Sequence, residues 1–348
     1  VKGKRQLLSR IVSTIGLNDA PRCFGALPHL LVLTYHRVLK ADRALFPLYP
    51  DVIDVSPEDF DRQMALMARH FTPLSASEMA AMIDGDRPWP RHPAAITFDD
   101  GYKDNLTEAL PILQKHGLKA TFFVTAGAVE QRQLFWWDYI WYAVMHCRDP
   151  LLRMAYPEPA AFPTDSLAAR RITAEALISM VKSAPDVDLS RLKEALAEAG
   201  HEEAPERAMA EANVLTWDDV RALLAAGMEV GSHSLSHRVL SHLPEAGLAS
   251  ELQGSKSLLE KRLGAKVMSL AYPAGGVRPH VRRAAAAAGY EIGFGPAGTA
   301  DRVDRICRYS VHRQGIDISE PFHLFRSTLM IPGVFSRQGS RPGLAPSK

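Results

Sequence analysis

Seven short, nearly all-apolar segments recur along this chain, each running into polar or titratable residues and each separated from the next by intervening, mostly helix-like stretches. They are "LPHLLVLTYHRV" (27–38), "AAITFDDG" (94–101), "KATFFVT" (119–125), "MEVGSH" (228–233), "KVMSLAYP" (266–273), "EIGFG" (291–295) and "RICRYSV" (305–311). A strand that is apolar on both sides has both faces covered, the condition of parallel strands packed under helices. The connections carry helix signals of their own: Ser56 before Pro57, and Thr216 with Asp219 three residues on and Gly227 as the stop. No glycine-rich dinucleotide fingerprint follows the first strand, so the pattern predicts an α/β fold built as a barrel or strongly curved parallel sheet.

The pattern breaks between 136 and 213. "FWWDYIWYAVMHC" and the Ala-, Glu- and Arg-rich stretches after it predict a mostly helical insertion, with irregular backbone at Pro157, Pro159 and Pro163. The expected organisation is a basic, helical segment over 1–26, two halves of the barrel over 27–135 and 214–330, the insertion over 136–213, and a flexible tail over 331–348.

Charge excludes one class of partner. With 41 Lys+Arg against 39 Asp+Glu the net charge is +2, too little for a phosphate-backbone field, so no nucleic-acid partner is expected; no feature marks a protein partner either. Cys23, Cys147 and Cys307 lie far apart and form neither a disulfide framework nor a thiolate metal site. No apolar run reaches the roughly twenty residues of a membrane span. The opening "VKGKRQLLSRIVSTIGL" places Leu7, Leu8, Ile11, Val12 and Ile15 on one side of a helix; this face either packs on the protein or rests on an anionic membrane as a peripheral contact. The expected location is the cytoplasm or the cytoplasmic face of a membrane, or outside the cell if a targeting segment precedes the residues given.

In parallel α/β folds the active site collects at the carboxyl ends of the strands. Those ends carry Tyr35, His36 and Arg37; Asp99 and Asp100; Ser232, His233 and His237; Tyr272 and Pro273; and Arg308 with His312. His233 and His237 are four residues apart, which in a helical turn brings both imidazoles to one side; among 13 histidines that spacing alone is weak. Asp100 adds a carboxylate from another strand end and completes a two-His, one-carboxylate set for one divalent ion, Zn2+ first, with Co2+, Ni2+ or Mn2+ also suited. Asp99 is then available as a base, provided the bend at Gly101 breaks the strand alternation and lets both carboxylates reach one cavity. The chemistry expected is attack of water on a carbonyl.

"TFDDGY" (97–102) and "HSLSH" (233–237) resemble the first two motifs of the polysaccharide deacetylases of the NodB-homology type, carbohydrate esterase family 4. "FFVT", "TWDDVRALLAAGMEVGSHSLSH" and "LAYPAGG" follow in that family's order over roughly 27–315, insertion apart. The resemblance implies a distorted (β/α)7 barrel, Asp99 as catalytic base, and Asp100, His233 and His237 as metal ligands. It also implies an N-acetylated glycan or glycolipid as substrate. The third motif departs from the commonest form: no Arg precedes Tyr272, as in members acting on exopolysaccharides or lipid-linked glycans. The Ala274 N–H keeps the oxyanion role, and Arg308 either replaces the missing partner of Asp99 or makes a surface salt bridge. The general acid has no clean motif; His36, His312 and His323 are open, and His36 at a strand mouth is carried forward. Trp136 and Trp137 either stack on a sugar or seat the insertion. Beside N-deacetylation stand two alternatives, hydrolysis of another C–N bond in a small molecule and an inactive glycan-binding protein.

Overall fold

The computed structural model describes residues 6–10, 14, 29–184, 186–200, 207–298 and 300–330. Seven parallel strands form its centre: β1 (His29–Tyr35), β2 (Pro93–Phe98), β3 (Thr121–Val124), β4 (Glu229–Ser232), β5 (Ser269–Ala271), β6 (Ile292–Ala297) and β7 (Val311–Gly315). Their neighbours run β1-β7-β6-β5-β4-β3-β2, and β2 returns to β1 from Leu31↔Ala94 to Tyr35↔Phe98, so the sheet closes into a barrel. The closure is uneven. β1 and β7 pair only at Leu33↔Gln314 and Thr34↔Gly315, β4 and β5 only at Leu270↔Ser232, and the register slips between Phe294 and Ala297. This is the distorted (β/α)7 barrel that the sequence predicts.

The period-2 alternation explains why the strands read as unbroken apolar runs. Leu31, Leu33, Tyr35, Ile96, Phe98 and Phe122 belong to the layer between barrel and helices, where α1 (Pro57–His70) buries Phe60, Met64 and Met67. Leu30, Val32, Ala95, Phe123, Phe294 and Val311 form a second cluster inside, closed at one end by the helix Ala76–Ile83. Gly231 belongs to this crowded interior: a Cβ there would stand 2.5 Å from the Phe123 ring and 2.6 Å from Ser269 Oγ. Along the inner faces the residue type changes from apolar to polar, through Thr34 and Thr97 (Oγ1 to Oγ1, 3.2 Å) toward the carboxyl ends.

Ser56 caps α1 by accepting the Asp59 N–H (3.1 Å), and Thr216 and Asp219 form the expected reciprocal cap. The insertion holds α2 (Trp136–His146), α3 (Leu167–Ser183), α4 (Leu189–Gly200) and α5 (Arg207–Asn213). It also contains a two-stranded antiparallel hairpin, Leu151–Met154 with Ala160–Pro163, in which Pro163 ends a strand opposite Leu151 and only Pro157 and Pro159 lie in the turn. The last barrel strand begins at Val311, where the expected 305–311 segment ends; residues before it turn, with Ser310 N–H donating to Cys307 O (2.8 Å). Of the N-terminal segment only 6–10 and 14 are among the described residues, and the tail 331–348 lies outside them. Among the described residues no helix is long and apolar enough to cross a membrane.

Candidate metal centre

β2 leads directly into the adjacent carboxylates. Asp99 N–H still donates to Tyr35 O (2.8 Å), but Asp100 has φ +73° and Gly101 φ +100°, so two successive left-handed residues end the pleat. Aspartate tolerates that region better than most residues, and Gly101 has no Cβ to oppose it. The bend is fixed from both sides: Asp100 O accepts Thr125 N–H and Gly101 O accepts Leu215 N–H, each at 3.0 Å. Both carboxylates therefore reach the same histidine. His233 Nε2 lies 3.8 Å from Asp99 Oδ2 and 3.5 Å from Asp100 Oδ1, and His237 Nε2 lies 3.3 Å from that same Asp100 oxygen.

His233 extends β4, and its Nδ1–H donates to Ala271 O on β5 (2.9 Å), which leaves the Nε2 lone pair facing the aspartates. Burial, opposed by Asp99, pulls its pKa down to about 4, so the imidazole is neutral at pH 7 and competent as a ligand. The helical turn expected for His233–His237 is absent. Ser234 (φ +65°) and His237 (φ +58°) are left-handed, and a loop brings the second imidazole back over the first, with ring centroids 4.8 Å apart. Side chains within and outside the loop supply what helical hydrogen bonds would have given. Glu251, on α6 (Glu245–Leu263), accepts the N–H groups of Leu235 and Ser236 (both 2.9 Å), and Ser234 Oγ accepts His237 N–H (3.0 Å). Gly127 N–H donates to Leu235 O (2.8 Å) at a spot where a Cβ would stand 2.5 Å from that oxygen.

Asp100, His233 and His237 offer three ligand atoms within 4.8 Å of one another. Asp100 Oδ1 is buried without a hydrogen-bond partner among the described residues, a costly state that a cation would relieve. Burial raises the Asp100 pKa, but His237 outweighs it, and the carboxyl is held below its ordinary range. Two imidazole nitrogens and one carboxylate oxygen fit a divalent ion with positions left open.

Asp99 is held by an arginine other than the expected one. Arg313, inward-facing on β7, grips it in a fork, Nη1–Oδ1 at 2.7 Å and Nη2–Oδ2 at 2.8 Å, with both side chains buried. Burial pushes the Asp99 pKa up, yet Arg313 and then His233 bring it well below the usual carboxylate range. Arg308 lies before the strand starts and pairs instead with Asp84 at the surface, also donating to Ala80 O (3.3 Å). The signal for Arg313 was a basic residue at the same parity as Val311 in "VHRQG"; reading the strand as ending at 311 hid it.

His36 closes β1. Its backbone N–H and its Nδ1 (2.9 Å) both meet the buried Asp54 Oδ2, and its charge helps to hold down the pKa of both Asp99 and Asp100. His312 alternates with Arg313, so it faces the other way and binds Asp301 (Nδ1 to Oδ1, 2.7 Å). His323 sits on the helix Phe322–Met330, and among the described residues no contact joins it to the centre. Ala274 occupies the turn after β5 with φ +53°. Gly275 and Gly276 N–H groups donate to Tyr272 O and Pro273 O, while no backbone acceptor meets the Ala274 N–H among the described residues. Trp136 and Trp137 are 6% and 4% exposed, too enclosed to offer a face to a sugar, and they seat the insertion on the barrel.

The fold has counterparts. The structure resembles that of the Streptococcus pyogenes deacetylase PplD in complex with acetate, with a TM-score of 0.56 and 18% identity over 87% of this chain and 98% of that one. It also resembles IcaB from Ammonifex degensii, with a TM-score of 0.52 and 17% identity over 87% and 97%. In sequence it is 21% identical over 286 residues to YxkH of Bacillus subtilis (strain 168), assigned by name to the polysaccharide deacetylases, across 82% of this chain and 70% of that protein. The sequence model of the family described as polysaccharide deacetylase matches residues 86–293, more than half of the chain and the whole span from Asp99 to His237; the chain belongs to the polysaccharide deacetylase family.

Proposed function

We propose that this protein is a metal-dependent hydrolase that removes N-acetyl groups from amino sugars of a glycan or glycolipid. The observation that carries the reading is the division of labour between adjacent carboxylates: Asp100 faces two histidines with an unpartnered oxygen, while Asp99 is locked by Arg313 beside them. A pure binding site has no need of both. When bound, a divalent ion, with zinc the first expectation, acidifies water and polarises a carbonyl oxygen. Asp100, His233 and His237 would hold it. Asp99, kept ionised by Arg313, accepts the proton as water attacks the acetyl carbon. The Ala274 N–H, which meets no backbone acceptor among the described residues, receives the developing oxyanion. His36, oriented by Asp54, delivers the proton that lets the sugar amine leave.

The substrate's location belongs to the same proposal. A glycolipid met at a membrane surface is supported by the basic, partly apolar N-terminal segment, in which Leu7 and Leu8 are 62% and 46% exposed. Co-sedimentation with anionic liposomes that fails to respond to salt or to deletion of residues 1–18 would remove that part alone. The reaction itself is tested by incubating the zinc-loaded protein with N-acetylglucosamine oligomers and with lipid-linked N-acetylated saccharides. Equal amounts of acetate and free amine support the reading; release of another product from a different C–N bond, or of none, overturns it.

A further inference from the structure

The barrel leaves one metal ligand poorly supported by its own backbone. His237 is left-handed, ends a loop with no helical hydrogen bonds, and would be free to swing about its χ angles if only the barrel surrounded it. The insertion supplies the missing wall. The Trp137 ring lies 4.4 Å from the His237 ring, centroid to centroid, and its other neighbour is Phe135, stacked at 4.9 Å and 3°. Trp136 stands edge-on to Trp137 at 5.2 Å, and its Nε1–H reaches His237 O at 3.4 Å. The rotation of Trp137 is itself fixed: its Nε1–H donates to Tyr102 OH (2.7 Å), which donates to the fully buried Asp138 (2.9 Å), whose other oxygen accepts Tyr49 N–H (3.0 Å).

We propose that Trp137 is a positioning residue of the metal centre: wedged between Phe135 and His237 and keyed by Tyr102, it holds the His237 imidazole at the angle at which Nε2 meets Asp100, so the insertion sets the affinity and coordination geometry of the ion. This rests on the reading of Asp100, His233 and His237 as ligands. Groups that orient a ligand from outside commonly change metal affinity by roughly 10–100-fold when removed, and a close-packed aromatic wall acts by the same restriction of the ligand's motion.

The test is zinc affinity of the folded protein, by competition with a chromophoric chelator, together with the visible spectrum of the cobalt-substituted form. Trp137→Leu is expected to raise the zinc Kd by roughly 10–100-fold and to shift the cobalt bands. Trp137→Phe, which keeps a ring but loses the N–H that sets its rotation, should raise Kd less, yet measurably. Trp141 is the control: it is equally buried on the same helix but packs on Tyr49. Trp141→Leu should lower thermal stability and leave both metal readouts as in the parent. If Trp137→Leu does not fold, Trp137→Phe decides alone. An unchanged Kd and cobalt spectrum in the Trp137 variants, or an equal change in Trp141→Leu, overturns the proposal. A parent protein that takes up no zinc overturns the ligand reading and this inference with it.

Discussion

Replacing Arg313 with methionine removes a guanidinium from a buried fork while keeping comparable volume. Asp99 is 3% and Arg313 7% exposed, so water does not replace the lost partner, and the remaining carboxylate is buried without its counter-charge. Breaking a buried pair from one side costs about 3–5 kcal/mol. The sign of the pH dependence follows. In the parent, the depressed pKa of Asp99 contributes stability above the unfolded carboxylate value, lost as pH falls through the folded one. In Arg313→Met the chief opposing charge is gone and burial drives the pKa up, so stability is present at low pH and lost as pH rises. The gap between the two proteins should be widest near pH 8 and narrow toward pH 4, in urea denaturation of metal-free protein. The acid limb of the activity profile should move to higher pH in the variant. A loss under about 1 kcal/mol, as for exposed pairs, with no pH dependence, would refute the claim that Arg313 holds Asp99 ionised.

Asp99→Asn should retain zinc and lose turnover, whereas Asp100→Asn should lose zinc affinity as well; equal metal loss in competition titrations would reverse their roles. His36→Gln should lower kcat by on the order of 10²–10⁴. Asp54→Asn, which removes the carboxylate that orients the ring, should also lower kcat; a His36 variant with parental turnover would return the acid role to the unassigned. Burial pushes the Asp138 pKa from 3.8 up to about 7, so between those values the folded protein holds a proton that the unfolded chain releases, and stability falls as pH rises. Asp138→Asn should abolish that slope, worth about 4 kcal/mol at 1.36 kcal/mol per unit, and an unaltered urea midpoint profile from pH 4 to 7 would contradict it.

The parts of this protein that were legible in its sequence are those set by local chemistry. A barrel strand covered on both faces must be apolar on both, and so the first six strands stood out, while the seventh, Val311–Gly315, carries too many polar residues to do so. Asp99, Asp100, His233 and His237 could be assembled because each sits at a strand's carboxyl end, where composition turns abruptly polar. What escaped depends on backbone and register. Nothing in "SHSLSH" announces left-handed Ser234 and His237, since that conformation is imposed by Glu251 and Gly127 from elsewhere in the chain. A displacement of the last strand exchanged Arg313 for Arg308. His36 was visible as a residue, but its carboxylate partner Asp54 lies 18 positions on, in the short strand Ile53–Val55, and no spacing rule links them. The helical insertion showed its composition but not that its first turn would lie against a metal ligand.

The central claim is that one ion held by Asp100, His233 and His237 is required for acetate release. Titrating zinc into metal-free protein while recording bound metal and acetate released from an N-acetylglucosamine oligomer tests it in one experiment. Activity should rise in step with occupancy and level off at one ion per chain, with Asp100→Asn showing neither effect in the same range. Acetate release by fully metal-free protein, or saturation of the ion site without any gain in release, would contradict the account.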